Sequence, residues 1–331
     1  MPSSIPILIS SLSDRKMIVK YKGAESNPQN LVGGGPQGTL LGGLQYIVSS
    51  DDCSQEKVSE SDRFKYFDDL NIVEFIILTE VLIEYPVMEH VPSDVGINQK
   101  YLPVNCFDLQ NKLDDISDWT KENLMALNES KSFYIVYSRS RQEFSTRLNL
   151  NGKHLERLSV IKLLGIWLDE DLSWNTNTKE ICKRAFSRMT MLSRLKYAGI
   201  LRDDLLLIYK LFIRSTAEYC SVAFHCALTQ EQAKKIELIQ STSLKIILGS
   251  EYLDYESAMK LCCLDTLFQR RSDRMLKFST KCTQDKFNKK MFPLNTNSKN
   301  KEHYIVNFAR TNKYLKSTIP QCQRLLNSAA K

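Results

Sequence analysis

Two adjacent carboxylates, Asp68 and Asp69, have the residue types and spacing for metal chemistry. They lie between residues 64–67, whose pattern predicts a short strand, and the apolar run 70–78. Carboxylates on a tight turn can point together at one cation, and Mg²⁺ in nucleotide chemistry is usually held by such hard oxygen ligands together with water and phosphate oxygens. An ordinary polar turn is the alternative, because Asp is common at turns. The pair alone leaves both interpretations open.

A glycine-rich stretch upstream adds a second motif. Residues 33–42 have the sequence Gly-Gly-Gly-Pro-Gln-Gly-Thr-Leu-Leu-Gly, and the aromatic-x-Asp-Asp box at 66–69 follows it. Together they resemble motifs B and C of reverse transcriptases, and the jockey-like branch of the non-LTR (LINE) retrotransposons fits best. The resemblance implies an RNA-directed DNA polymerase that takes an RNA template, a DNA primer and dNTPs.

The resemblance also implies roles for individual residues. Asp68 and Asp69 would be catalytic ligands of Mg²⁺ in the palm, with a weak or incomplete site in the absence of substrate. The residues implied to bind nucleotide or template are Gly35, Pro36, Gln37 and Gly38, which would open a helix beneath the template, and Tyr66 and Phe67 of the box. Phe67 differs from the small residue or Val that is usual in the family.

Further matches extend along the chain. Apolar residues at helical spacing predict an amphipathic helix over 107–127, followed by a strand at 133–137, and this pair resembles motif D. Lys131 would then lie near the nucleotide triphosphate, although a surface lysine at a helix end is an equal alternative. The sequence Asn151-Gly152 predicts a hairpin, as does Gly23. Residues 160–168 are predicted to form one strand and resemble the segment that closes the palm.

Beyond Trp174 the pattern becomes helical. Apolar periodicity predicts helices around 181–192, 206–217, 233–248 and 267–278, and these resemble the thumb and C-terminal region of the family. The basic residues expected to meet nucleic-acid phosphates are Lys183, Arg184, Arg188, Arg194 and Lys196.

The net charge of +7 is unevenly distributed. Residues 1–170 hold 17 basic and 24 acidic residues, whereas residues 171–331 hold 28 basic and 14 acidic residues. An acidic N-terminal half joined to a basic C-terminal half is expected where metal chemistry lies beside a lobe that binds a polyanion. Solvated helical surfaces are the alternative explanation of the same charges.

Cysteines and hydropathy indicate the compartment. The nine cysteines show no CxxC or zinc spacing, which favours free thiols in a reducing compartment. No signal peptide and no run of eighteen uncharged apolar residues is present, so we expect no membrane association. We therefore expect an intracellular protein of the cytoplasm or nucleus that is not secreted.

These observations predict an α+β fold in three parts. Residues 1–170 would form a partial reverse-transcriptase palm, an antiparallel sheet with packed helices, 171–292 an α-helical thumb-like domain, and 293–331 a loosely packed tail. The fingers and the motif A strand, which carries another catalytic Asp in the family, have no match. Asp51 and Asp52 lie in a polar loop predicted to be too irregular to replace that carboxylate.

Three functions remain open at this stage. The chain could be a polymerase fragment that is inactive alone and needs a missing upstream polymerase segment, a non-catalytic nucleic-acid-binding remnant, or a decayed element without function.

Overall fold

A computed structural model describes residues 16–30, 63–66, 69–72, 107–123, 125–137, 147–286, 288–295 and 303–329. For the described residues within 63–72 and for 107–108, it describes the backbone only. These residues divide into two compact units. The first has the bounds Met1–Ser132 and Gln142–Leu155, and the second Phe133–Arg141 and Glu156–Lys331. Helices and small sheets occur together, as the predicted α+β class requires.

Short antiparallel strands begin the first unit. The strands are β1 (Lys16–Met17), β2 (Lys20–Tyr21), β3 (Ala24–Glu25) and β4 (Gln29–Asn30). β2 pairs with β3 and β1 pairs with β4. Lys22 and Gly23 both have positive φ, so the hairpin predicted at Gly23 is confirmed.

The aromatic-x-Asp-Asp box lies on a hairpin. β5 (Arg63–Tyr66) pairs antiparallel with β6 (Asp69–Ile72), and Tyr66 is the register partner of Asp69. The strand predicted over 64–67 is present as β5, and the apolar run predicted after the carboxylates begins as β6. Asp69, predicted to lie in the turn, is the first residue of β6. Phe67 and Asp68 lie outside the described residues.

A helix and a tight hairpin pack together in the first unit. α1 (Phe107–Glu122) buries Ile116, and the hairpin of β8 (Asn149–Leu150) and β9 (Lys153–His154) buries Leu150. The Gln110 amide joins them, because it donates to the Asn149 carbonyl and accepts from the Asn149 N–H, both at 2.9 Å.

Two details of this region refine the sequence predictions. Asn151 and Gly152 have φ of 51° and 81°, which confirms the turn predicted there. The helix is shorter than the predicted 107–127. It ends at Glu122: the Asn123 N–H and side chain both donate to the Trp119 carbonyl, and the Met125 N–H then donates to the Thr120 carbonyl, five residues back instead of four.

Strands open the second unit. β7 (Phe133–Tyr134) is shorter than predicted and pairs parallel with β10 (Glu156–Arg157), while β11 (Val160–Leu163) pairs antiparallel with β12 (Ile166–Asp169). The prediction of one strand over 160–168 is wrong. Leu164 and Gly165, with φ of 46° and 88°, form a turn that folds the apolar run into a hairpin.

Helices make up the rest of the second unit. Their bounds are α2 (Asn175–Tyr197), α3 (Arg202–Ile208), a π-helical turn (Tyr209–Arg214), α4 (Ser215–Glu218), α5 (Ser221–Phe224), α6 (Gln230–Leu248), α7 (Tyr255–Leu261), α8 (Leu267–Gln284), α9 (Asn312–Leu315) and α10 (Thr318–Ala329). All four predicted helical regions are thus present.

The main core lies between α2, α6 and the helices that follow α2. One stripe of α2, including Ala185 and Leu192, and one stripe of α6, including Ile236 and Ile239, are fully buried in it. A Thr229–Gln232 capping box fixes the start of α6. Apolar burial on this scale is what stabilises helices of this length.

The C-terminal tail is packed in its described part, 303–329, rather than loose. α10 lies against α8 in a second core that contains Met275, Phe292 and Cys322. Gln323 is fully buried. Its side-chain amide donates a hydrogen bond to the Met291 carbonyl and accepts one from the Asn307 backbone N–H. The apolar residues Ile319, Cys322, Leu325 and Leu326 of α10 recur at helical spacing, but periodicity alone does not identify α8 as the helix against which they pack.

Candidate nucleic-acid interface

The structure does not describe the side chains of most residues of the predicted polymerase site. Gly35, Pro36, Gln37, Gly38 and the acidic loop with Asp51 and Asp52 belong to undescribed ranges. For Tyr66 and Asp69 the backbone alone is described, and it places them opposite each other where the two hairpin strands meet. Lys131 is exposed at the end of a short 3₁₀ turn, Glu129–Lys131.

The basic residues of α2 fall into two groups. Lys183 and Arg194 are exposed and eleven residues apart, which places them on the same outward face of the helix. Lys196 is exposed in the last turn. Arg184 is half-buried, and its Nε donates to the Glu180 carbonyl at 3.3 Å.

Arg188 is exposed, but its guanidinium is engaged in hydrogen bonds within the protein. Its Nη1 donates to the Phe212 carbonyl and to Thr216 Oγ1, so its guanidinium holds α2 against the helices that follow. Lys183 and Arg194 are therefore the α2 residues best placed for phosphates. Helical spacing alone could not separate Arg188 from them, because the partners of Arg188 are 24 and 28 residues away.

A cluster that the sequence prediction missed lies at the end of α4. There the buried Glu218 carboxylate pairs with Arg270 and Arg274 of α8, and Arg214 lies beside them. The spacing of Arg270 and Arg274, four residues apart, indicates that they share a helix face. The carboxylate they meet is more than 50 residues away, beyond the reach of any local pattern.

A partly buried polar network positions α8. Glu237 of α6 accepts hydrogen bonds from the backbone N–H groups of Leu267 and Phe268 at 3.0 and 3.1 Å, and from the Tyr255 hydroxyl. A carboxylate at a helix N-terminus satisfies free N–H groups and interacts favourably with the helix dipole. Glu237 thus fixes the helix that presents Arg270 and Arg274.

The β11–β12 hairpin, which resembles the palm-closing segment, is tied to the same region. The Tyr219 hydroxyl donates to the Leu164 carbonyl at 2.7 Å. A Cβ at Gly165 would lie 3.2 Å from the Tyr219 ring, and the φ of +88° at Gly165 also favours glycine. Tyr219 directly follows Glu218, so the hairpin turn and the arginine cluster share one anchoring segment.

His225 is a buried histidine beside this network. Arg271 Nε lies 3.4 Å from His225 Nδ1, and an arginine can only donate, so the neutral ring carries its proton on Nε2 and donates to Ser272 Oγ at 3.0 Å. Burial, and secondarily the charge of Arg271, lower the pKa of His225 from 6.5 to about 4. The imidazole is therefore neutral in the folded protein at neutral pH.

This shift predicts a pH-dependent stability. Between pH 6.5 and about 4 the unfolded state binds a proton that the folded state does not, so the free energy of unfolding should fall as the pH falls through this window. The full loss is on the order of 3 kcal/mol. Urea denaturation at pH 7 and pH 5 checks it, with His225→Gln expected to lose part of the pH dependence.

The matched control is His154→Gln, because His154 is exposed. It should keep the pH dependence of the unchanged protein. Equal pH dependence in His225→Gln and His154→Gln would contradict a neutral buried His225.

The expectation of free thiols is borne out within the described residues. The seven cysteines there are free. No helix among the described residues is long and apolar enough to cross a membrane.

The chain is similar to three proteins of Drosophila melanogaster. It is 24% identical to the "RNA-directed DNA polymerase from mobile element jockey" over 257 residues, which is 76% of this chain and 26% of that protein. It is 25% identical to the "Probable RNA-directed DNA polymerase from transposon X-element" over 255 residues, 74% of this chain and 25% of that protein. It is 25% identical to the "Probable RNA-directed DNA polymerase from transposon BS" over 194 residues, which is 56% of this chain and 19% of that protein.

The chain thus spans about a quarter or less of the length of the curated relatives it matches. No protein-family model matches the chain, and no solved structure matches it. The similarity confirms the resemblance predicted from the Pro-Gln-Gly and Asp-Asp motifs: the chain is similar, over part of their length, to the jockey-like RNA-directed DNA polymerases of non-LTR retrotransposons.

Proposed function

We propose that the chain is a segment of a retrotransposon RNA-directed DNA polymerase. Residues 1–170 contribute part of the palm, 171–292 the thumb, and 293–331 a C-terminal extension. The observation that carries the proposal is the similarity to three such polymerases over as much as 76% of the chain. The hairpin whose second strand begins at Asp69 supports it independently.

In this proposal the carboxylates of Asp68 and Asp69 hold Mg²⁺ at the end of the β5–β6 hairpin. Hard oxygen donors suit this ion. When bound, Mg²⁺ supplies activation of the primer 3′-hydroxyl and stabilisation of the leaving pyrophosphate. In this proposal substrate phosphates, water and further residues of the polymerase complete the coordination of the ion. Among the described residues no group of three or more His, Cys, Asp or Glu residues could hold a metal.

The other residues of the segment position the substrates. Gly35 to Gly38 support the template and the incoming nucleotide, Tyr66 and Phe67 flank the metal ligands, and Lys131 neutralises the triphosphate. The exposed Lys183 and Arg194 contact phosphates of the RNA template and DNA primer.

A polypeptide of residues 1–331 alone is expected to incorporate no dNTP on a primed RNA template, because two carboxylates leave the two-metal site one protein ligand short. Joined behind the upstream part of the jockey polymerase, the chain should support templated incorporation. The double variant Asp68→Ala, Asp69→Ala should abolish it. Primer extension with Mg²⁺ measures each case.

Asp203→Ala, Asp204→Ala is the matched control, because these adjacent aspartates are exposed in the first turn of α3. It should leave incorporation unchanged. A fusion that binds primer–template but incorporates nothing would contradict the polymerase proposal. Incorporation by residues 1–331 alone that depends on Asp68 and Asp69 would contradict the need for an outside carboxylate.

The second candidate is nucleic-acid binding without catalysis. It is favoured by the excess of basic residues in 171–331, 28 against 14 acidic ones, and by the exposure of Lys183 and Arg194. The fusion experiment separates the two candidates, since both predict binding and only the first predicts incorporation.

A further inference from the structure

Three arginines surround one buried carboxylate at the end of α4. Glu218 is 3% exposed, and its Oε2 accepts from Arg274 Nη2 at 2.7 Å and from Arg270 Nη2 at 3.3 Å. Arg270 Nε donates to Oε1, and Arg274 Nη1 donates to the Glu218 carbonyl at 3.2 Å. Arg214 Nε lies 4.0 Å from Oε1, too far for a hydrogen bond.

The charges of this cluster do not balance. Three guanidinium groups meet one carboxylate, which leaves an excess of two positive charges. Arg214 Nε is buried and has no hydrogen-bond partner among the residues that the structure describes. Burial, and then the positive charge of Arg270, lower the pKa of Arg214. The cluster therefore has both unpaired charge and an unused donor.

Access to the cluster increases outward from Glu218. The exposed fractions of the arginine side chains are 15% for Arg214, 26% for Arg270 and 46% for Arg274. The carboxylate is enclosed, while part of each arginine side chain remains in contact with solvent. An anion arriving from solvent would meet the arginines and not the carboxylate.

We propose that Arg214, Arg270 and Arg274 bind a phosphate group of a nucleic-acid backbone, and that Glu218 positions their side chains. The guanidinium fork matches the geometry of phosphate oxygens and forms charge-assisted hydrogen bonds with them. A phosphodiester carries one negative charge, which the excess of two positive charges accommodates. The choice of a nucleic-acid phosphate rests on the proposed function, and the site is separate from Lys183 and Arg194 on α2.

The test is a fluorescence titration of residues 1–331 with a labelled RNA–DNA duplex at several salt concentrations. Arg274→Gln removes one charge from the cluster, while Arg270 still pairs with Glu218. The matched control is Arg202→Gln, because Arg202 is 45% exposed and also pairs with carboxylates, Glu251 at 3.3 Å and Asp203 at 3.9 Å, so that no positive charge is in excess there. Circular dichroism verifies that both variants are folded.

We expect Arg274→Gln to weaken binding and to reduce the slope of log K against log salt by about one unit, the contribution of one phosphate contact. Arg202→Gln should leave the slope unchanged. If the unchanged protein binds the duplex and Arg274→Gln retains its slope, the phosphate site is wrong while the proposed function stands. If the unchanged protein does not bind the duplex, the proposed function fails and the site fails with it.

Two further measurements complete the test. If Arg274→Gln does not fold, Arg274→Lys keeps the charge but not the fork, and it should weaken binding at every salt concentration relative to Arg202→Lys. Equal affinities of these two variants would overturn the site. Inorganic phosphate distinguishes the two sources of the anion. Suppose that phosphate stabilises the protein, that Arg274→Gln abolishes this stabilisation, and that Arg274→Gln leaves the salt slope of duplex binding unchanged. The site would then be assigned to free phosphate, and the contact with a nucleic-acid backbone would be overturned.

Discussion

Phe224→Ala is expected to lower the free energy of unfolding of the second unit by about 4 kcal/mol. Phe224 ends α5 and is fully buried, and its ring lies 5.8 Å from that of Trp174 in the main core. The substitution removes a large apolar surface and leaves a cavity, because a packed core relaxes only in part around a lost ring. Urea denaturation followed by circular dichroism measures the change.

The matched control is Phe308→Ala, since Phe308 lies in the same unit and is 84% exposed. Its effect should stay within about 0.5 kcal/mol. A loss below about 1 kcal/mol in Phe224→Ala would show that the ring does not fill the core of the second unit.

The second large effect is the salt dependence of nucleic-acid binding. Each phosphate neutralised on a duplex contributes about −0.9 to the slope of log K against log salt, because condensed counterions are released. Roughly four to six contacts, drawn from Lys183, Arg194, Lys196 and the cluster around Glu218, would reduce affinity on the order of a hundredfold or more between about 50 and 200 mM salt. Little sequence preference is expected, because phosphate contacts carry none.

Periodicity and turn chemistry were sufficient for much of the fold. The helical regions of the second unit follow from apolar residues at a spacing of three and four, and the turns at Gly23 and Gly152 follow from glycine at positive φ. The hairpin at Asp69 follows from a strand pattern interrupted by two carboxylates. These are local signals, and they are read within a few residues.

The predictions failed where the deciding contact is distant or the local signal is ambiguous. An apolar run with a single glycine fits one buried strand as well as two, so the turn at Leu164 and Gly165 was missed. The roles of Arg188 and Glu218 depend on partners tens of residues away. The side chains of Asp68 and Asp69 lie outside the described residues, so their assignment as metal ligands stays a prediction from the resemblance.

Two double variants with the same change in net charge make the salt titration specific to α2. Lys183→Glu with Arg194→Glu reverses two exposed charges on the outward face of α2. Lys121→Glu with Lys260→Glu makes the same change in net charge at exposed lysines that pair with Asp118 and Glu256. A difference between the two double variants therefore reports the location of the charge and not its amount.

The most direct test of nucleic-acid binding by the helical unit is the affinity of residues 1–331, and of both double variants, for a labelled RNA–DNA duplex as a function of salt. The unchanged protein should bind at about 50 mM salt with a steep negative slope. Reversal on α2 should reduce that slope by about two units, and reversal at the paired lysines should leave it unchanged. Absence of binding at about 50 mM salt, or the same slope in both double variants, would contradict a nucleic-acid interface on α2.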